Sequence, residues 1–598
     1  MSTTERHGLI GAGVQRRLAV VWRFARGLVR ADEAFLAVVA AFTGVIAGTA
    51  TAALSIIVQR ILEAVFRVHW GERLTAAASV DPWLAFGAPV VGGLVLGLVT
   101  DEIVRRRWKR RLPVDPIEAN ALHGGRMSLT DTALLTLQNI ISNGFGASIG
   151  LEAGFTQLGS ALSSRVGQWL GSRRADMRVL VGCGAGGAIA AAFHAPLTGA
   201  FYGFELVIGV YSIANLTPVM VASLFAVLVN IQLVGPAPTL PSMAVAVSPE
   251  TGAAAAALGA ICAMFGIALM TGSTLVERLM RESGLPTFLR PMFGGLVVGA
   301  LALYSTQVLS SGHGALESIV TSQASLTAIA LLLAAKAVAS SVSIGAGFRG
   351  GLFFAALFLG AMIGKVAAAA GMASLAPGLS SDTFAVIGMA ALAAAVVGGP
   401  LTMAFLALEM TADFRLSVLA LTAVVAASLT VRRAFGYSFA TWRLHLRGES
   451  IRSAHDVGWI RDLTVGGMMR RDAPSASAGL SLAAFRRLYP LGSTHRVTLV
   501  DENKRYVGLL PVPLAHSDSN DPALDEPVAG LAILGGNYLT PKMNAKEAMA
   551  AFDDSEAEAL AVVESKADPK VVGQLTEAHV LKRYSEESER RRREQTGE

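Results

Sequence analysis

The stretch APLTGAFYGFEL, residues 195–206, returns as GPLTMAFLALEM at residues 399–410, and this repetition decides the fold. Pro196, Thr198 and Glu205 each recur as the same residue type 204 positions later. Glycine and proline interrupt the apolar residues around both copies. Two copies of one apolar unit with broken segments are typical of transporter folds, in which the binding site lies between the repeats.

A second pair of segments comes earlier in each half. GLEAGFTQLG (150–159) aligns with GGLFFAALFLG (350–360), which sets Glu152 against Phe353. Whether the repeats are inverted depends on an odd or even number of membrane spans in each half. The apolar tracts by themselves leave that number open.

The composition is that of a membrane protein with a smaller water-soluble part. Of the 598 residues, 53% are hydrophobic and only 16% are charged, whereas soluble domains have about 25% charged residues. Tracts such as 213–235 and 326–346 have the ~20 apolar residues that cross a bilayer. Shorter tracts such as 131–141 indicate re-entrant helices that line a site. We therefore predict an all-α polytopic membrane domain with broken, re-entrant helices.

The net charge of +6 is concentrated in basic blocks at 105–111, 173–178 and 432–433. These blocks border apolar tracts, so they indicate cytoplasmic ends of membrane spans and argue against nucleic acid as a partner. Cys183 and Cys262 lie within apolar stretches, which implies no disulfide framework. The sequence has no metal-ligand cluster, phosphate-binding loop or nucleophile elbow. We therefore expect no enzyme, no cofactor and no metal site.

Glu152 is the one charged residue of the run NGFGASIGLEAGFTQLGSAL, residues 143–162. A charge at membrane depth costs at least ~2.5–3.5 kcal/mol, so it usually marks an ion or substrate pathway. The glycines around it would loosen a helix there. The alternative is a structural glutamate that is paired inside a helix bundle.

The apolar tracts divide the chain into four parts. Residues 1–31 contain a basic amphipathic segment that would lie on the cytoplasmic membrane surface, and residues 32–447 form the transmembrane domain. Residues 455–584 are a water-soluble region, and the charged run 585–598 is expected to be disordered. We expect the protein in a bacterial inner membrane with both termini in the cytoplasm.

The water-soluble region has two helix–strand–turn–strand–helix patterns and so predicts an α+β fold. Alternating strands flank a turn in HRVTLVDENKRYVGLLPV (495–512) and again within 559–584. A short helix precedes each hairpin, at 481–489 and at 545–552. This pattern resembles a tandem pair of cystathionine-β-synthase (CBS) domains.

Residues 98–446 resemble the CLC family of chloride channels and anion–proton exchangers. The strongest matches are CGAGGAIAAAFHAPLTGAFYGFE (183–205) and VIGMAALAAAVVGGPLTMAFLALEMT (386–411). The resemblance implies a homodimer in the lipid bilayer with one pore per subunit, halves of inverted topology, and an anion held at helix N-termini. A helix N-terminus has unpaired N–H groups and about half a positive charge, so it binds an anion without a full cation.

The family's gating glutamate lies in a GxEGP motif, here GLEAG, which gives that role to Glu152 and places Gly150 and Leu151 at the anion site. Protonation would neutralise the carboxylate and let it swing away. Because burial favours the neutral form of a carboxyl group, external acid would open the path. The family's GxFxP motif appears as GLFFA and implies anion binding by Phe353 and Phe354.

The family's central tyrosine matches Tyr437 in FGYSFATW, whose hydroxyl would donate to the anion. The alternative is a tyrosine of the membrane interface. The family's GSGxP segment is replaced by LPVDP, so Pro113 stands at the anion-binding serine position and Asp115 is added. Plant vacuolar nitrate exchangers resemble this chain in having proline there, which implies nitrate or a broader range of anions. Asp115 would either repel anions or cap the following helix, and we favour the cap.

Many exchangers of the family have a glutamate at the internal proton position, directly after the residue that matches Glu205. This chain has Leu206 there. Leucine cannot relay a proton, which favours a channel or a weakly coupled transporter. Glu205 and Glu409 occupy the same position in the two repeats, so we expect them to be structural.

CBS pairs of this family often bind adenine nucleotides through a Gly-x-x-Thr-x-x-Asp pattern. The second unit has Gly573, Thr576 and His579, so the aspartate is missing. Thr576 and His579 are therefore weak candidates for nucleotide binding, and a structural or dimerising role is the alternative.

The sequence thus predicts transport of chloride or similar small monovalent anions, with nitrate as a candidate, through a pore that protonatable Glu152 gates. Passive, channel-like conduction is favoured, and anion–proton antiport is the alternative.

Overall fold

The computed structural model describes residues 33–77, 79–106, 114–209, 211–236, 240, 245–321, 324–446, 463–517 and 524–596. The chain forms two compact units, which divide between Asp456 and Val457. The segment that we expect to be amphipathic, residues 1–31, lies outside the described residues.

The first unit consists of α-helices, with 3-10 turns at Leu74–Ala76 and Thr306–Val308. In chain order the helices are α1 (Glu33–Phe66), α2 (Pro82–Arg106), α3 (Pro116–Leu122), α4 (Leu129–Gly144), α5 (Glu152–Leu170), α6 (Arg174–Phe193), α7 (Pro196–Tyr202), α8 (Ile213–Val234), α9 (Pro249–Glu282), α10 (Arg290–Ala302), α11 (His313–Thr321), α12 (Leu326–Ala346), α13 (Phe353–Ala367), α14 (Ala373–Leu375), α15 (Ser381–Val397), α16 (Pro400–Thr411), α17 (Phe414–Ala434) and α18 (Phe439–Leu446). Helix α7 continues as a π-helical turn, Gly203–Ile208, and α13 continues as another, Ala368–Met372. Polar N-caps such as Ser248 and Asp413 accept backbone N–H groups and so determine where these helices begin.

Eight of the described helices are long and apolar enough to cross a membrane, namely α1, α2, α6, α8, α9, α12, α13 with its continuation, and α17. Between them lie apolar helices that are too short to span on their own, namely α7 with its π-helical turn, α10, α15 and α16. These short helices are the broken segments that glycine and proline predict. The prediction of an all-α polytopic membrane domain is therefore confirmed.

The glycines that align between the repeats make equivalent helix crossings. A Cβ atom on Gly159 of α5 would run into the carbonyl oxygen of Gly184 on α6. In the second half, Gly360 of α13 lies in the same way against Gly388 of α15. Backbones that approach so closely require residues without side chains, which explains why glycine occurs at matching positions.

Reciprocal hydrogen bonds also join the two repeats. The Glu409 carboxylate on α16 accepts the backbone N–H of Thr198 at 2.8 Å and the Thr198 hydroxyl at 2.6 Å. The Glu205 carboxylate accepts the same two donors from Thr402, at 2.9 and 2.7 Å. An exchange of identical contacts relates the two halves by a pseudo-two-fold axis, as inverted repeats require. The structural role expected of both glutamates is confirmed.

The second unit has two similar α+β modules, each with a three-stranded sheet. Its elements are α19 (Val465–Met468), β1 (Ser475–Ser477), α20 (Leu482–Leu488), β2 (Arg496–Val500), β3 (Tyr506–Pro511), α21 (Val512–Ala515), a 3-10 turn (Val528–Leu531), β4 (Tyr538–Leu539), α22 (Ala545–Ser555), β5 (Ala559–Val563), β6 (Val571–Thr576) and α23 (Glu577–Thr596). In each module a parallel strand pairs with one strand of an antiparallel hairpin. The two hairpins are the ones that the sequence predicts, in the arrangement expected of a tandem CBS pair.

The last helix differs from expectation. The run 585–598 is predicted to be disordered, but α23 continues through it to Thr596. Acidic and basic residues one turn apart stabilise such a helix, and Arg583 pairs with Glu586 at 3.0 Å. The prediction of disorder is therefore wrong for the described part of this run.

Candidate functional site

Two loops meet at the candidate site, one from each repeat. Gly150 and Gly351 exchange backbone hydrogen bonds with N···O distances of 2.8 and 2.9 Å. Helix α5 begins just beyond one partner, at Glu152, and α13 begins just beyond the other, at Phe353. The sequence alignment of Glu152 with Phe353 thus corresponds to a physical meeting of two helix N-termini.

Neither of these two helices has a side-chain cap. Their N-cap residues, Leu151 and Leu352, make no side-chain hydrogen bond to the first turn. The first-turn N–H groups of both helices therefore keep their partial positive charge. Paired N-termini of this kind are a position that can accept an anion.

The side chain of Glu152 occupies this position. It is only 3% exposed, and both carboxyl oxygens lack a hydrogen-bond partner among the described residues. The carboxyl group faces the backbone N–H of Phe354 without closing a well-formed hydrogen bond. Buried polar groups are normally satisfied, so the two unpaired oxygens make this carboxyl group a candidate functional group.

Glu152 lines a cavity of about 280 Å³. Leu206 and Phe353 contribute to its apolar wall. Its polar and charged lining comes from Asp115, Asn139, Thr156, Gln157, Tyr202, Arg349 and Arg443. The lining therefore contains two arginines and two acidic residues, Asp115 and Glu152.

A second cavity, of about 350 Å³, contains Tyr437 and Glu205. The two cavities share Ile117 and Leu206 in their linings. The Tyr437 hydroxyl lies 3.3 Å from Nδ1 of His445, and the two rings stack. Tyr437 and Glu152 thus line adjoining cavities, and motif comparison assigns both to one anion path. Leu206 lies where the two cavities adjoin.

Three further candidate residues are Pro113, Asp115 and Phe354. Pro113 lies outside the described residues. The Asp115 carboxylate accepts the backbone N–H of Glu118 at 2.8 Å, which confirms that it caps α3. Phe354 is 4% exposed, and its ring stacks on His313 with a centroid distance of 3.5 Å.

The nucleotide candidates lie in the second unit, at the junction of β6 and α23. The Thr576 hydroxyl accepts the backbone N–H of His579 at 3.4 Å, and both residues are exposed. This hydrogen bond is a helix cap. This capping role is sufficient to explain why threonine stands at position 576.

Motif comparison misses three residues of the Glu152 cavity. Arg349 is the one charged residue between Lys336 and Lys365, so the argument that identifies Glu152 would also have identified it. Tyr202 and Arg443 carry no such signal, because tyrosine and arginine are common at helix ends. Only the fold brings them to the cavity.

Comparisons with known proteins agree with this geometry. Residues 92–432 match the family model described as voltage gated chloride channel. A ClcB-like chloride channel protein of Ralstonia nicotianae is 32% identical over 361 residues, which cover 57% of this chain and 81% of that protein. The voltage-gated ClC-type chloride channel ClcB of Escherichia coli is 28% identical over 368 residues, 60% of this chain and 87% of that one.

Solved structures share the fold. A slow cyanobacterial Cl−/H+ antiporter has a TM-score of 0.60 at 22% identity and covers 69% of this chain and 97% of its own. A eukaryotic CLC transporter has a TM-score of 0.57 at 17% identity and covers 91% of this chain and 97% of its own. The second alignment is long enough to extend beyond the membrane unit.

Proposed function

The chain belongs to the voltage-gated chloride channel family, a family of anion channels and transporters, and from this premise we propose that it conducts chloride or similar small monovalent anions passively past Glu152. The observation that carries the proposal is the buried Glu152 carboxyl group at two uncapped helix N-termini. In this position a carboxylate acts as a substitute for the anion. When it is protonated and moves aside, the same N–H groups become available to the anion.

Two features support passive conduction over coupled exchange. Leu206 is 8% exposed, lines both cavities and cannot take up a proton. The neighbouring Glu205 carboxylate is occupied by donors of Leu401 and Thr402. These contacts commit Glu205 to joining the two repeats, so it does not replace the glutamate that is missing at position 206.

Anion–proton antiport is the second candidate. It is supported by Glu152 itself, since a buried carboxyl group that binds and releases a proton would couple the two fluxes. The cyanobacterial protein of similar fold is described as a Cl−/H+ antiporter. For the transported ion, proline at position 113 supports nitrate beside chloride, by the resemblance to nitrate exchangers.

The proposal extends to the setting of the protein. We place it in a bacterial inner membrane as a homodimer with one pore per subunit and with both termini in the cytoplasm. The basic blocks that border the membrane spans support this orientation.

Nucleotide binding by the second unit is a separate proposal, which assigns adenine nucleotide to Thr576 and His579. The unit Val457–Glu598 has hydrophobic cores of its own, so its melting can be measured alone. A rise in melting temperature with millimolar ATP, ADP or AMP would support binding. Unchanged melting would leave Thr576 as a helix cap only.

The test of the main proposal is ion flux in liposomes that contain the purified protein, under a chloride or nitrate gradient. We expect anion flux without uphill proton movement. In Glu152→Ala the flux should persist but lose its dependence on pH. Glu277→Ala is a matched control, because Glu277 lines neither cavity and pairs with Arg281 on the outside of α9. Uphill proton movement that disappears in Glu152→Ala but persists in Glu277→Ala would instead establish an antiporter.

A further inference from the structure

The cavity next to Glu152 contains a tyrosine to which no family motif assigns a role. Tyr202 lines the cavity together with Glu152 and Phe353. Its ring centroid lies 6.2 Å from that of Phe353. Its hydroxyl lies beside the Thr156 side chain, and Asp115 lines the same cavity. The phenol oxygen therefore lies among the polar groups of the cavity, close to the gate.

The repeat indicates that the fold does not require this phenol. The residue 204 positions later is Leu406, which is buried in α16. The backbone also differs, because α7 passes into a π-helical turn directly after Tyr202, whereas α16 remains α-helical to Thr411. Turns of this kind are frequent at functional sites. The first repeat therefore departs from the shared scaffold at Tyr202 in both side chain and backbone.

The other hydroxyl groups assigned to the anion path are engaged elsewhere or missing. Thr156 donates its hydroxyl proton to the backbone oxygen of Glu152 at 3.0 Å. Tyr437 lines the second cavity and contacts His445. Proline at position 113 has no hydroxyl group. This leaves the Tyr202 hydroxyl, beside Thr156 in the cavity lining, as the candidate hydroxyl donor to an anion in the first cavity.

We propose that the Tyr202 hydroxyl donates a hydrogen bond to the anion in the Glu152 cavity and thereby determines which anions the cavity prefers. The inference rests on the proposed function, since it requires this cavity to be part of the anion path. An anion that leaves water loses the hydrogen bonds of its hydration shell, and hydrogen-bond donors of the site must replace them. Chloride is more strongly hydrated than thiocyanate, so loss of one donor should weaken chloride binding more.

The test uses the purified full chain in detergent, with sodium chloride and sodium thiocyanate as probes in titration calorimetry. Tyr202→Phe removes the hydroxyl and keeps the ring. We expect chloride affinity to fall about tenfold, as for a hydrogen bond to a charged group, and thiocyanate affinity to fall by clearly less. The matched control is Tyr304→Phe, because Tyr304 is 54% exposed and lines neither cavity. If Tyr202→Phe does not fold, Tyr202→Leu supplies the residue of the other repeat.

The outcomes separate this inference from the proposed function. If the wild-type protein conducts anions while Tyr202→Phe binds both probes as the wild type does, the inference is wrong and the function stands. Unchanged chloride affinity with lost proton movement would also overturn it, because Tyr202 would then be a proton relay. If the wild-type protein neither binds nor conducts chloride, nitrate or thiocyanate, the proposed function itself fails.

Discussion

Replacing Gly150 by alanine should open the anion path at neutral pH, because the new methyl group takes the space of the Glu152 carboxyl group. A Cβ atom on Gly150 would lie 2.7 Å from both Cδ and Oε1 of Glu152, and closer still to Oε2. An unstrained contact needs roughly 3.5–4.0 Å. Gly150 is not among the glycines with positive φ, so alanine can adopt its backbone conformation. The clash therefore acts on the Glu152 side chain.

The size of the effect follows from this geometry. Overpacking of a well-packed site typically costs about 1–3 kcal/mol. This cost applies only while the carboxyl group occupies the helix N-termini, so it destabilises the closed state and leaves the open state unchanged. The ratio of open to closed states should rise by about 5- to 150-fold.

The assay is chloride flux from liposomes at neutral and at acidic pH. Wild-type flux should rise on acidification, whereas Gly150→Ala should already conduct at neutral pH close to its acid rate. Gly351→Ala is the matched control from the same backbone bridge. Its Cβ atom would lie 3.4 Å from the Ala153 nitrogen and 3.5 Å from Oε2 of Glu152, which are ordinary contacts. We therefore expect it to behave as the wild type does.

A double variant separates displacement of the gate from general damage. In a Glu152→Ala background the carboxyl group is absent, so Gly150→Ala should add nothing to the flux. A Gly150→Ala variant that keeps the pH dependence of the wild type would show that the methyl group does not displace the carboxyl group. An equal rise in flux with and without Glu152 would also exclude displacement of the gate.

Three further predictions concern stability. Thr198→Val and Thr402→Val each remove one hydroxyl donor to a half-buried carboxylate, so each should destabilise the purified protein by about 1–3 kcal/mol. Unequal losses of melting stability in detergent would contradict the pseudo-two-fold symmetry. Gly360→Ala should lower the melting temperature, because the new methyl group would meet the backbone of Gly388. Gly252→Ala should leave the melting temperature unchanged, because no atom lies within 4 Å of its Cβ position. Equal shifts in melting temperature for the two variants would contradict the proposed close packing at Gly360. A hydrogen bond from Lys570 lowers the pKa of Asp568 in the second unit. The stabilisation that Asp568 provides is therefore present above the ordinary aspartate pKa of about 4 and is lost as the pH falls through the lower pKa of the folded state. Asp568→Asn should remove this loss of melting temperature in acid, and an unchanged dependence of melting temperature on pH would contradict the prediction.

The sequence is sufficient for features that depend on local pattern. Apolar length predicts the spans, and the repeated motif predicts that Glu205 and Glu409 have equivalent structural roles, because identical side chains in identical contexts find equivalent partners. The sequence alone does not predict which groups a side chain faces when two distant segments determine its surroundings. Tyr437 has a role assigned by a motif yet lines the second cavity, whereas Tyr202 has no assigned role yet lines the same cavity as Glu152. Such placement depends on how α7, α5 and α18 pack, which no single segment encodes.

Matched and unmatched positions of the repeat have different physical roles. A contact across a pseudo-two-fold axis stabilises both halves only if both copies supply the group, so Glu205 and Glu409 are the same residue. The proposed gate, Glu152, requires different residue types at the matching positions of the two repeats. If a second carboxyl group stood at Phe353, two negative charges would approach each other in one buried space, and the anion would have no position between the helix N-termini. Glu152 therefore needs an uncharged partner across the bridge. The mismatch of Glu152 and Phe353 thus distinguishes the proposed gate from the matched residues that join the two halves.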